Sequence, residues 1–245
     1  MMLLLTFFTL LKICLAAEVT WNEVRFVVSL NYKNYSDFCS GTFVRDRFTI
    51  LTAASCFSVL GKNYDYKSIE VHVNSYPDKY LARYLAIHPK FSPNKPGLND
   101  VALIALKPTF ISLLMNYAPY NSIQLFNIAT VNKYAVVFAV ELDAGKGLVH
   151  KRMLTVVSSE EKFCKNTEST VCAKDSKPDQ RCGKNFGGPV VDKASGNLVG
   201  IIAYKPKSKC SPDHAEGFVR LSNYIEWIDD TLSNLSSSFL NYLFE

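Results

Sequence analysis

Hydrophobic residues recur along this chain in short runs rather than in long helical stripes. Residues 25–30 read RFVVSL, 42–51 TFVRDRFTIL, 68–73 SIEVHV, 101–106 VALIAL, 134–140 YAVVFAV and 198–204 LVGIIAY. Each run is rich in β-branched and aromatic residues and lies between turn-forming stretches. With no amphipathic helix separating one run from the next, the spacing predicts an all-β barrel or sandwich. Only the end departs from this pattern. From Ser222, SNYIEWIDDTL sets Tyr224 or Ile225 with Ile228 and Leu232 on one helical face, behind Ser222 as N-cap. A helix is predicted over 222–235, with 236–245 as a tail. The segment NYAPYNSIQLF at 116–126 lies midway and is placed to join two halves, although no internal repeat is evident.

A chain of 245 residues, 48% hydrophobic and 20% charged, can bury a sizeable core. The net charge of +5 is spread along the sequence and does not point to nucleic acid. The opening MMLLLTFFTLLKICLAA is too short to span a bilayer, is interrupted by Lys12 and ends in small residues. It reads as a secretory leader over 1–16, cleaved after Ala16; the alternative is a buried N-terminal helix. No later run is long enough to anchor the chain in a membrane.

Removing Cys14 with that leader leaves Cys39, Cys56, Cys164, Cys172, Cys182 and Cys210. An even set suits an oxidised extracellular framework, although arithmetic leaves its connectivity open. No C-x-x-C is present, and His72, His88, His150 and His214 lack ligand spacing, so neither a metal nor a cofactor is expected. Asn34 in NYS and Asn234 in NLS are glycosylation sequons that matter only in an exported chain.

Five phrases then stand in a familiar order: GTFVRDRFTILTAASC, NDVALIALK, CGKNFGGPVV, GNLVGIIAY and GFVRLSNYIEWI. Together they resemble the landmarks of the trypsin-like serine proteases over essentially all of the chain after the leader. The resemblance implies two six-stranded antiparallel β-barrels packed across a cleft, with a closing C-terminal α-helix. It places one domain at 17–235, with barrel halves near 17–118 and 119–221. It also implies bridges Cys39 to Cys56, Cys164 to Cys172 and Cys182 to Cys210. A fourth bridge found in many relatives would fall on Ala135 and Asp192, so both of its partners are missing together.

The departures from the family pattern concern chemistry. The family mechanism uses a hydroxyl nucleophile, an imidazole that takes and returns its proton, and a carboxylate that orients the imidazole. Asp100 matches the carboxylate, but Ser55 stands at the histidine position and Phe186 at the nucleophile. The oxyanion donors fall on Lys184 and Phe186, and a Cβ at Lys184 replaces the glycine used for close backbone approach. Asn185 replaces the aspartate that pairs with a new N-terminus in activated relatives, and no I-V-G-G-like start is present. The specificity pocket maps to Gln180, Lys205 and Gly217. Pro206 removes a backbone donor from the strand that pairs with substrate.

These positions lead to the expectation of a secreted chain that is not an enzyme but a binding or regulatory protein, with an extracellular protease or protease substrate as its partner. The alternatives are a serine-type endopeptidase of altered mechanism and a polyanion-binding module using Lys205, Lys207 and Lys209. Three features have plainer readings. Asp100 is then a structural carboxylate satisfied by the Ser55 hydroxyl and backbone amides, the KPKSK cluster a solvated loop, and Phe186 a core plug rather than an anchor for a partner.

Overall fold

The computed structural model describes residues 24–46, 48–73, 79–95, 97–107, 122–125, 135–143, 148–157, 164, 167–175, 186–204 and 215–243. Residues 1–16, expected to form a leader, lie outside the described residues. The strands are β1 (Val27–Tyr32), β2 (Tyr35–Phe43), β3 (Thr49–Thr52), β4 (Ile69–Val73), β5 (Lys79–Ile87), β6 (Ala102–Leu106), β7 (Val136–Asp143), β8 (Leu148–Val156), β9 (Thr170–Asp175), β10 (Pro189–Asp192), β11 (Leu198–Tyr204) and β12 (Glu216–Arg220). A long helix, α1 (Ile225–Leu243), follows.

The first six strands close into one barrel in the neighbour order β1-β2-β3-β6-β5-β4, and the last six into another, β10-β11-β12-β9-β8-β7. All pairings between named strands are antiparallel. Renumbered from its own first strand, the second order repeats the first, an internal symmetry that the side chains themselves do not display. Closure satisfies every strand edge with a neighbour, which removes the unpaired backbone that an open sheet would expose. Alternation supplies the core. In β4, Ile69, Val71 and Val73 are buried while Glu70 and His72 face outward. β1 is buried along nearly its whole length because it also touches β7 of the other barrel.

Residues 122–125 stitch the barrels together, with Ile123 bridging Val44 and Leu125 bridging Leu198 in parallel. The C-terminal end crosses back to the first barrel. The Asn99 N–H donates to the Tyr224 hydroxyl at 3.0 Å, Arg45 pairs with Asp229 at 2.9 Å, and His88 meets the rings of Tyr224 and Trp227 edge-on. Tyr224 and Ile228 are buried and Leu232 is half-buried, so the expected helical face is the one that packs.

Three expectations are corrected. Ser222 is not the N-cap, because a 3-10 turn over Leu221–Tyr224 already carries helical backbone past it and the extended residue at the boundary is Arg220. The helix continues to Leu243 instead of ending at 235. No glycine or proline interrupts 225–243, and Leu232, Phe239 and Leu243 keep the apolar spacing of one face. Finally, Asp192 lies opposite Val137, not Ala135. Ala135 therefore lies two positions along the chain from the residue that faces Asp192.

Candidate functional site

The pairing of β3 with β6 builds the site. Thr52 lies opposite Ala102, so the chain three residues beyond Thr52 meets the chain two residues before Ala102. Ser55 and Asp100 thereby come together. Ser55 lies in a 3-10 turn, Ala54–Leu60, which the Cys39 to Cys56 disulfide ties to β2. Asn99 adopts φ of 54°, a left-handed conformation that asparagine tolerates, and its side-chain Nδ2 donates to the Lys90 carbonyl at 3.1 Å. These two restraints, with the Tyr224 contact, hold the segment that leads into Asp100.

Asp100 is fully buried, and its Oδ1 accepts the Ser55 backbone N–H at 2.7 Å. Among the described residues its Oδ2 and the Ser55 Oγ are both buried without a hydrogen-bond partner. The Ser55 hydroxyl therefore does not satisfy the carboxylate; the Ser55 backbone does. A side chain one methylene long leaves its oxygen outside bonding geometry, although it is near enough to favour the charged form slightly. Burial dominates and pushes the Asp100 carboxyl up to about 6, against weaker opposition from the Ser55 and Ala54 backbone and the Ser55 side chain.

Phe186 enters from the second barrel. Its carbonyl accepts the Ser40 N–H at 2.8 Å, and its half-buried ring packs against the core cluster that contains Ala53, Ala54 and Cys56. Gly187 makes this approach possible. At φ of 79°, a Cβ there would stand 2.2 Å from Thr52 Oγ1 and 2.3 Å from the Ser40 carbonyl. Thr52 Oγ1 donates to that same carbonyl at 2.8 Å. The structure thus gathers Ser55, Asp100 and Phe186 at one joint between the barrels.

On the barrel 1 side this joint carries an aromatic cluster: Phe38 meets Phe57 edge-on, Phe57 stacks on Tyr64, and Tyr32 meets Tyr64 edge-on. Gly217 lies in β12 opposite Cys172 and Tyr204. Beside it is a charged group that sequence reasoning missed. Arg152 of β8 donates in bidentate fashion to Glu216 at 2.8 and 2.5 Å and lies 3.6 Å from Asp175. The three side chains are only 8, 13 and 11% exposed, so their charges must be neutralised locally. They come from three strands far apart in sequence, and no spacing signal could have linked them.

A second disulfide joins Cys164 to Cys172. Gln180, Cys182, Lys184, Asn185, Lys205, Pro206, Lys207, Lys209 and Cys210 lie outside the described residues, as does His214. No group of histidine, cysteine or acidic side chains among the described residues has metal-binding geometry.

Comparison with known proteins changes one conclusion. The chain is 25% identical over 204 residues to a protein named Collagenase from Hypoderma lineatum, covering 78% of this chain and 75% of that one. Its fold matches a solved structure of kallikrein-related peptidase 10 in complex with Zn2+ at a TM-score of 0.67, with 21% identity, over 86% of this chain and 97% of the other. That second likeness bears on fold alone. The expectation that this chain is not an enzyme is overturned by its grouping with peptidases. Physically, the expectation at Ser55 and Phe186 concerns one arrangement of base and nucleophile, and a cleft can act through other groups. With two barrels of matching topology meeting at this joint, and the Trypsin family model matched over residues 16–228, the chain belongs to the trypsin family.

Proposed function

We propose that this trypsin-family chain is exported and works in extracellular proteolysis by engaging another polypeptide at the joint between its barrels. The observation that carries this reading is Phe186. An aromatic ring only half-buried, on a backbone anchored by Ser40 and Gly187, is a rigid apolar feature of the kind that dominates binding at protein interfaces. The aromatic cluster adjoins the same turn, with the half-buried rings of Phe38 and Tyr64 resting on the buried ring of Phe57. Export is supported by the apolar leader over 1–16, by two disulfides in the described residues, and by a family match that begins at residue 16. No described helix is long and apolar enough to cross a membrane.

Asp100 favours a second reading, peptide hydrolysis by an altered mechanism. A buried carboxyl titrating at about 6, with one oxygen unpartnered, has the proton affinity that general acid or base chemistry near neutral pH requires. One experiment separates the two. The secreted chain is used to capture its partner from extracellular fluid, the partner is identified, and its affinity is measured for wild type, Phe186→Ala and Asp100→Asn alongside hydrolysis of peptide esters. The binding reading expects Phe186→Ala to weaken affinity at least tenfold, or about 1.4 kcal/mol, while Asp100→Asn leaves it unchanged. Turnover by the purified chain that Asp100→Asn abolishes would establish the second reading, with or without the first.

A further inference from the structure

We infer that Asn34 carries an N-linked oligosaccharide and that Asn234, the other sequon, does not. The inference rests on the reading that the chain is exported. β1 ends at Tyr32, β2 begins at Tyr35 and these two residues pair, so Lys33 and Asn34 are the two residues of a hairpin turn. Lys33 turns the chain with φ of 50°. Every residue from Lys33 to Asp37 is exposed, and the Tyr35 ring is 54% open to solvent. Asn34, in the turn, and Ser36, at the start of β2, flank Tyr35 on this open tip. A bulky, solvated sugar is accommodated there without displacing core or ladder.

Asn234 is exposed as well, but its backbone is helical rather than a turn. It lies inside α1, where positions two apart in sequence do not share a face of the helix. Bringing them together requires α1 to unwind, and the onset of α1 is tied to the first barrel through Tyr224 and Asp229.

In the transfer, Nδ2 of Asn34 attacks C1 of the first sugar of a lipid-pyrophosphate-linked oligosaccharide. The N–C1 bond forms, the C1–O bond to pyrophosphate breaks, the lipid pyrophosphate leaves with the bonding pair, and one amide proton is lost to solvent. The sugar has a function in a proteolytic environment. Lys33 and Asn34 are exposed in a tight turn, the kind of tip that proteases nick, and a glycan on Asn34 covers the Lys33–Asn34 bond.

The test expresses the full chain in secretory cells as wild type, Asn34→Gln and Asn234→Gln. Each is prepared with its own leader and with residues 1–16 replaced by a leader of proven efficiency. Intact mass is read before and after treatment with peptide-N-glycosidase, and trypsin nicking after Lys33 is timed. Wild type and Asn234→Gln are expected to lose a glycan mass and acquire aspartate at position 34, while Asn34→Gln shows neither. Nicking after Lys33 is expected to be about tenfold faster in Asn34→Gln or in the deglycosylated wild type. An unmodified Asn34 in a chain secreted from the substitute leader, or a sugar on Asn234, overturns the inference. Equal nicking rates overturn the shielding. Retention inside the cell with the native leader alone counts against export, while the substitute-leader chain still decides the glycan.

Discussion

Asp100 shows how a single side chain can oppose the fold that buries it. Its folded pKa of about 6 lies above the ordinary 3.8, so the folded state binds the proton more tightly than the unfolded state does. The stabilisation is therefore complete below about pH 4 and is lost as pH rises through about 6. A shift of this size corresponds to roughly 3 kcal/mol, reduced in practice by relaxation around the carboxylate. Asp100→Asn keeps an acceptor for the Ser55 N–H without the charge. The variant is expected to gain about 1–2 kcal/mol over wild type at pH 7 and to lose that advantage by pH 4, checked by thermal melts across this range. A wild-type advantage that widens toward pH 7 would show that the carboxylate is stabilised by its surroundings. Gly187 is the other residue whose identity the geometry demands. Gly187→Ala is expected to destabilise by about 3 kcal/mol or more, and Thr52→Ala in the same chain should not rescue it, because the second clash is with the Ser40 backbone. Urea unfolding of the single and double variants checks both parts.

At the level of elements, α1 acts as a clasp. Together with the 3-10 turn that leads into it, it follows β12 of the second barrel yet bonds to loops of the first, Tyr224 of the turn holding Asn99 and Asp229 of the helix pairing with Arg45. Tyr224→Phe removes the acceptor for the buried-side Asn99 N–H and is expected to cost about 1–2 kcal/mol in urea unfolding. Asp229→Ala breaks an exposed ion pair with Arg45 and should change stability by less than about 1 kcal/mol. A larger loss in the second variant than in the first would reverse this assignment of the clasp. The helical face of Tyr224, Ile228 and Leu232 was legible from spacing. Its surface was not, since nothing local says that a helix after β12 packs on His88 and Asn99.

Across the whole molecule, two closed barrels leave few edges, and the disulfides act on the unfolded chain. Replacing both Cys39 and Cys56 by alanine releases a loop of 17 residues in sequence separation, for which loop-closure entropy predicts a loss of about 3 kcal/mol. With Cys39–Cys56 and Cys164–Cys172 formed, the cysteines left besides Cys14 are Cys182 and Cys210. Peptide mapping without reduction is expected to find them joined. Finding either as a free thiol would mean that the loops after β9 and β11 are not tied together.

Much of the architecture is local in origin. Short β-branched runs between turns specify strands, alternation in segments such as Ile69 to Val73 decides which side faces the core, and the phrases around Cys56, Asp100 and Gly187 identify the family plan. Register and contact are different in kind. Pairing that sets Asp192 opposite Val137, a backbone N–H rather than a hydroxyl from Ser55 on Asp100, and the joining of Arg152 to Glu216 all depend on residues distant along the chain. Side-chain chemistry reports what a residue can bond to. Only the closed barrels decide which of those bonds are within reach, because burial removes water as an alternative partner and the strand ladders fix the distances.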